Sequence, residues 1–164
     1  MLMAEHSKAQ VMKIVNYVGD NPDRFSSLCK VFLYGTYRLS QRASWAVNYC
    51  VRSHPDFILD RFDELLEMLD RSHHDAVKRN ILRMLQYVDI PTRWQGSFYT
   101  RCLHFLGSSK EPIAVRVFSM QLLYNIAKGT PELEEELRQL LRDIPLDASP
   151  ALHARSRNLL KELG

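Results

Sequence analysis

The chain has 164 residues, of which 46% are hydrophobic and 25% are charged, and its formal net charge is +3. A chain of this length and composition can bury the core of one globular domain without disulfides or a structural metal. The small net charge excludes a bulk polycation for nucleic acid, so any electrostatic function must come from the distribution of the charges. We therefore expect a single domain over residues 1–164.

The three cysteines, Cys29, Cys50 and Cys102, are widely spaced, and each lies within an apolar helical pattern. Disulfide frameworks and Cys-x-x-Cys metal sites have different spacings, so we expect reduced thiols in the core. The first ten residues contain no apolar core of a signal peptide, and no apolar run approaches the length of a membrane span. These features predict a cytoplasmic protein.

Prolines mark the beginnings of the predicted helices, because the first turn of a helix does not need the N–H that proline lacks. An apolar helical pattern at residues 8–18 comes first. Patterns with i, i+3, i+4, i+7 spacing then follow Pro22, Pro55, Pro91 and Pro131. No segment alternates strictly between apolar and polar residues, so no strand is predicted. The chain is predicted to be all-α with about nine helices, the others lying near 40–53, 75–88, 112–128 and 149–163.

The second helix of each predicted pair repeats one pattern. Lys78 aligns with Arg116 at an offset of 38 residues, Arg42 aligns with Lys78 at an offset of 36, and Arg155 lies 39 residues beyond Arg116. The apolar positions that follow these basic residues match as well. A period near 37 residues is typical of stacked supersecondary units. The chain is therefore predicted to contain about four helical hairpins.

This pattern resembles HEAT repeats, from about Asn21 to the end of the chain. Val77-Lys78 and Val115-Arg116 match the start of a HEAT second helix, and Asp75 and Glu111 match the acidic residue of the preceding turn. The resemblance implies a short α-solenoid of about four HEAT-like hairpins whose second helices line a concave surface. It also implies a purely structural alternative for the basic residues, which commonly pair with turn acids in such arrays.

Charge differs between the two kinds of helix. The helices after Pro55 and Pro131 are acidic, whereas each second helix is basic, and several second helices carry tyrosine. Arginine and tyrosine are frequent anchors in protein interfaces. We expect the basic concave surface to bind an acidic segment of a protein partner. The predicted partner-binding residues are Arg42, Arg79, Arg83, Arg116 and Tyr124.

The main alternative is a nucleic-acid-binding protein, since a basic concave surface also suits a phosphate backbone. One form of it resembles HEAT-like alkylpurine DNA glycosylases, for which Trp45, Trp94 and Asp89 supply the residue types. Trp94 begins an apolar stripe, however, which favours a place in the core. The adjacent histidines of His73-His74 do not converge on one metal ion. We therefore expect a non-catalytic scaffold or adaptor with no cofactor, metal or small-molecule substrate.

Overall fold

The computed structural model describes residue 2, residues 7–71 and residues 75–164. The regular structure within these residues is entirely helical, with nine α-helices, one 3₁₀ segment and no strand. The chain divides into two compact units, Met1–Asp89 and Ile90–Gly164. The predicted all-α class is confirmed. The expectation of a single domain over residues 1–164 stays a prediction.

The first unit is a layered stack of helices. Helix α3 is its centre, because it packs against α1, α2 and α5, while α4 packs against α5. The contacts therefore place α1 and α5 each beside α3, as expected for equivalent helices of successive stacked units. The elements of this unit are α1 (Lys8–Val18), α2 (Pro22–Tyr34), α3 (Tyr37–Ser53), a 3₁₀ segment (Pro55–Arg61), α4 (Phe62–Asp70) and α5 (Asp75–Leu85).

The second unit is organised around α7, which packs against each of its other three helices. Its most extensive contact is with α6, its partner in the hairpin, and its contact with α9 again joins two second helices. The elements are α6 (Thr92–Gly107), α7 (Ile113–Ala127), α8 (Pro131–Arg142) and α9 (Pro150–Leu163).

Helix starts follow the prolines and capping residues of the sequence. Pro22, Pro131 and Pro150 are each the first residue of their helix, where the missing N–H costs nothing. Before Pro22, the Asn21 side chain accepts a hydrogen bond of 3.0 Å from the backbone N–H of Arg24. That bond satisfies one of the donors that every helix start leaves without a partner.

The stretch after Pro55 differs from the single helix that its apolar pattern predicts. Residues Pro55–Arg61 form a 3₁₀ segment before α4 begins. With three residues per turn, Ile58 and Arg61 fall on the same side. Ile58 is fully buried, and the Arg61 guanidinium donates hydrogen bonds to Ser26 on α2 and to Glu64 on α4. These tertiary contacts favour the tighter winding over an α-helical start.

Burial follows the repeat register. The position four residues after each aligned basic residue is buried in every second helix, with exposed fractions of 0% for Ala46, Leu82 and Met120 and 1% for Leu159. The same position of the repeat therefore carries a core side chain in each of these four helices. The repeat seen in the sequence is therefore a repeat of packing.

Candidate binding site

A small pocket opens in the first unit, where α3 packs against α5 and the turn that follows it. Its volume is about 40 Å³. Four of its six lining residues come from α3 at i, i+3, i+4 and i+7, so they share one face of that helix. The lining residues are Trp45, Asn48, Tyr49, Arg52, Arg83 and Tyr87.

The outer part of this α3–α5 pocket is basic and aromatic. Arg52 and Arg83 are both exposed, and the Arg52 guanidinium carbon lies 4.6 Å from the centroid of the Tyr87 ring. At an exposed site such a cation–π contact contributes about 0.5–1 kcal/mol. No acidic residue is among the six lining residues. The pocket therefore presents two guanidinium groups to an anion without a competing carboxylate in its lining.

One of the lining residues, Asn48, carries an acceptor atom that is itself inaccessible to solvent. Asn48 is only 6% exposed, and its Nδ2 donates a hydrogen bond of 2.8 Å to the carbonyl of Ser44. This bond sets the orientation of the amide, since the opposite orientation would bring two acceptors together. Among the described residues, no donor reaches the Asn48 Oδ1. A buried acceptor without a donor costs about 1–3 kcal/mol, so Asn48 is the unusual residue of the site.

Comparison with known families agrees with this arrangement of helices. Residues 1–163 match the family model described as a HEAT repeat domain. The chain belongs to the HEAT repeat domain family. Neither the comparison with curated proteins nor that with solved structures gave a match. The predicted resemblance to HEAT repeats is confirmed.

The three partner-binding residues that the sequence predicts in the first unit have different surroundings. Arg83 lines the α3–α5 pocket. Arg79 is half-buried one turn earlier on α5. Arg42, near the start of α3, is half-buried, and its Nη1 donates a hydrogen bond of 3.0 Å to the backbone carbonyl of Leu2. Of these three arginines, the pocket therefore contains Arg83.

The two predicted partner-binding residues of the second unit make contacts within that unit. Arg116 is half-buried, and its Nε donates a hydrogen bond of 3.0 Å to the carbonyl of Leu106, in the last turn of α6. Tyr124 is only 9% exposed. Burial, followed by a hydrogen bond to Glu162, raises the pKa of the Tyr124 hydroxyl. Both side chains thus stabilise the packing of their unit, and their predicted role in partner binding stays a prediction.

Sequence reasoning did not select Asn48 or Arg52 as site residues, and it named Trp45 only for the glycosylase-like alternative. The signal that identifies them is the spacing 45, 48, 49 and 52, which places polar and aromatic side chains on one helical face. Burial of the Asn48 amide has no sequence signal, because it depends on where α5 packs.

The three residues on which the glycosylase-like alternative depends also lie in different surroundings. Trp94 is buried, and the Arg93 guanidinium carbon lies 3.5 Å from the centroid of its ring. Trp45 lines the α3–α5 pocket, whereas Asp89 is exposed and is not among the lining residues. The structure therefore brings one of the three residues to the pocket.

The described residues also bear on metal binding and membrane insertion. Within the described ranges, no group of three or more His, Cys, Asp or Glu side chains is arranged to hold a metal ion. His73 and His74 lie outside the described residues. Over the same part of the chain, no helix combines the length and the apolar character that a membrane crossing requires.

Proposed function

We propose that this HEAT repeat chain is a non-catalytic, cytoplasmic scaffold or adaptor that binds an acidic segment of a protein partner. HEAT repeat domains commonly mediate protein interactions. The observation that carries the proposal is the α3–α5 pocket, where Arg52 and Arg83 stand beside Tyr49 and Tyr87. Arginine and aromatic residues are enriched among the side chains that dominate binding energy in protein interfaces.

The composition of the pocket supports a binding role over a catalytic one. Its six lining residues include no carboxylate, imidazole or thiol. General acid–base catalysis near neutral pH most often uses such groups, placed within hydrogen-bond reach of the substrate. Guanidinium groups instead remain charged at all physiological pH values and match the geometry of a carboxylate. The lining is therefore suited to holding an anionic group without transforming it.

Nucleic-acid binding is the second candidate function, and one observation favours it. Tyr87 is 46% exposed beside Arg52, and an exposed ring next to a guanidinium also suits base stacking and phosphate contact. Binding to a phosphate backbone has a steep salt dependence, because each neutralised phosphate releases counterions. Whether the chain binds an acidic peptide or an oligonucleotide more tightly therefore distinguishes the two candidate functions.

A direct binding assay tests the proposal. Fluorescence anisotropy would compare a labelled polyglutamate peptide, a polylysine peptide and a single-stranded oligonucleotide, each at about 50 and 200 mM salt. We expect the polyglutamate peptide to bind best. The double variant Arg52→Glu, Arg83→Glu should weaken its binding at least about tenfold, because like charges now face the peptide.

The control is Arg38→Glu, which reverses one exposed guanidinium on the same helix outside the pocket and is compared with the single variant Arg52→Glu, of equal charge change. It should change polyglutamate binding about twofold or less, because a charge outside the pocket acts on the peptide only through the screened long-range field. Equal losses in the control and the pocket variant would contradict the proposal. A stronger affinity for the oligonucleotide would favour the second candidate instead.

A further inference from the structure

A larger and mainly apolar groove lies in the first unit, between α1 and α2. Its volume is about 250 Å³, whereas one water molecule occupies about 30 Å³, so the groove can receive several apolar groups. Helix α2 lines it with Arg24, Ser27, Leu28 and Val31, at i, i+3, i+4 and i+7. Helix α1 lines it with Ile14 and the residues three and four positions later. Each helix therefore presents one face to the groove.

The packing of the next repeat indicates what kind of element such a groove holds. Helix α2 is the first helix of its hairpin. It packs against α3, its second helix, and contacts the 3₁₀ segment that follows α3. Helix α1 lies beside α3 as the equivalent helix of the preceding unit, and α2 follows it. The α1–α2 groove is thus the position of a first helix one repeat earlier. Among the described helices, α1 packs against α3 and, less extensively, α2, and neither occupies that position.

The lining of this groove has accessible apolar side chains. Tyr17 is 55% exposed, Ser27 is exposed and Val31 is half-buried. Ile14 and Leu28, each 6% exposed, are the buried apolar part of the lining. A helix that placed apolar side chains in the groove would remove the Tyr17 ring and Val31 from water. Burial of apolar surface is the main favourable contribution to such binding.

The charges around the groove favour an occupant with an acidic flank. Among the described lining residues, Arg24 is the charged one. Its guanidinium carbon lies 4.6 Å from the centroid of the Tyr17 ring, and its Nη1 donates a hydrogen bond of 2.8 Å to the Tyr17 carbonyl. A guanidinium has five N–H groups, so Arg24 can also contact a carboxylate of the occupant. Helix α1 adds Lys8 and Lys13 and contains no acidic residue.

We propose that the α1–α2 groove binds an amphipathic helix of a protein partner. The apolar stripe of that helix faces Val31 and Tyr17, and an aspartate or glutamate on its flank contacts Arg24. The helix takes the place that a first helix has in the other repeats. Recognition of this kind depends on apolar residues of the bound helix at i, i+3, i+4 and i+7. The groove shares no lining residue with the α3–α5 pocket, so this inference does not depend on the proposed function.

Designed peptides test this proposal by fluorescence anisotropy with the whole chain. The probe is a labelled, alanine-based peptide of about 18 residues, long enough to form a helix, with leucines at i, i+3, i+4 and i+7 and glutamates on its flanks. One control distributes the same leucines around the helix, and another replaces the glutamates by lysines. We expect the probe to bind saturably as a helix, the first control about tenfold more weakly and the second about fivefold more weakly. Equal affinity of either control, or a bound probe that circular dichroism shows to be non-helical, would overturn the proposal.

On the protein side, Ser27→Trp fills the groove, because Ser27 is exposed and lines it. The matched control, Ser97→Trp, makes the same change at an exposed position of α6. Neither variant removes a core side chain, so both should retain the helix content of the wild type. Ser27→Trp should weaken probe binding about fivefold or more, and Ser97→Trp about twofold or less. Similar losses in the two variants would contradict the assignment of the site.

Three further outcomes distinguish this inference from its alternatives. If the wild-type chain dimerises in sedimentation and Ser27→Trp is monomeric, a second copy occupies the groove and the proposal is wrong. If Arg52→Glu, Arg83→Glu abolishes probe binding while Ser27→Trp does not, the probe binds the α3–α5 pocket. This inference then fails and the proposed function survives. If Ser27→Trp weakens probe binding but polyglutamate does not bind the wild type, the inference is supported and the proposed function fails.

Discussion

The guanidinium carbon of Arg52 lies 4.6 Å from the centre of the Tyr87 ring, which joins the end of α3 to the turn after α5. Both side chains are exposed, so the contact adds little to the core. It does restrict the rotamers of a long side chain, and ordering such a side chain in advance lowers the entropic cost of binding. The Arg52–Tyr87 contact is therefore a feature of the proposed binding surface.

Replacing Tyr87 by leucine should weaken polyglutamate binding about threefold, because the contact is worth about 0.5–1 kcal/mol. Replacing it by phenylalanine retains the ring and should retain the affinity. Anisotropy titrations measure both affinities. Both variants should change the free energy of unfolding by less than about 0.5 kcal/mol. Equal affinities for the leucine and phenylalanine variants would contradict a role for the ring.

Removing the Arg116 side chain should lower stability, whereas removing the Arg83 side chain should weaken binding. The Arg116 Nε donates to the Leu106 carbonyl at the end of α6, so Arg116→Ala should lower the free energy of unfolding by about 1–2 kcal/mol. Arg83→Ala should change it by less than about 0.5 kcal/mol and weaken polyglutamate binding. Urea unfolding and anisotropy measure the two effects. The opposite assignment, with Arg83 affecting stability and Arg116 affecting binding, would contradict the structural distinction.

The repeat position of Leu82 should be intolerant of truncation. Leu82 is fully buried, so Leu82→Ala should lower the free energy of unfolding by about 2–5 kcal/mol through lost burial and the cavity it leaves. Leu146, which is 98% exposed, provides the matched control, and Leu146→Ala should cost less than about 0.5 kcal/mol. Urea unfolding of both variants tests this. Similar losses at the two positions would contradict the repeat register.

The cysteine thiols should be unreactive in the folded protein. All three are free and buried, as the sequence predicts. Burial raises the pKa of Cys29 and Cys102 to about 12 and that of Cys50 to about 11. A raised pKa keeps the thiol protonated, and the thiolate is the reactive form. At pH 8 a thiol reagent should label the native chain only slowly.

Urea should accelerate this labelling of all three thiols, because unfolding restores their ordinary pKa near 9.0. Between that value and the raised values, the unfolded chain releases protons that the folded chain keeps. Stability should therefore fall as the pH rises above about 9. Rapid native-state labelling of any one cysteine would contradict the burial that the structure assigns to it.

Most of the helical framework was predictable from local sequence. Residues 8–18 form α1 as predicted, and the segments predicted near 112–128 and 149–163 form α7 and α9 with ends that differ by one residue. The reason is local: prolines and capping residues mark the starts, and apolar spacing identifies the buried face. The start after Pro55 was wrong in its first turns, since contacts of Ile58 and Arg61 with other helices favour 3₁₀ winding there.

The site was predictable only in part. Arg83 was expected at the binding surface and lines the pocket. Tyr124 was expected there too, but the packing of α7 against α9 buries it. Charge and residue type indicate what a side chain can bind. Its exposure depends on neighbours that lie far away in the sequence.

By itself, the sequence determined most of the helices, their repeat at about 37 residues and the apolar position that each repeat buries, because these depend on the spacing of residues along the chain. The tertiary structure alone decided that Asn48 would carry a buried acceptor to which none of the described residues donates, and that Arg52 would lie over Tyr87. Both facts require α5 to pack beside α3, which brings together residues about 35 positions apart. Contacts across that distance arise from the packing of the core, and the pattern within either helix does not contain them.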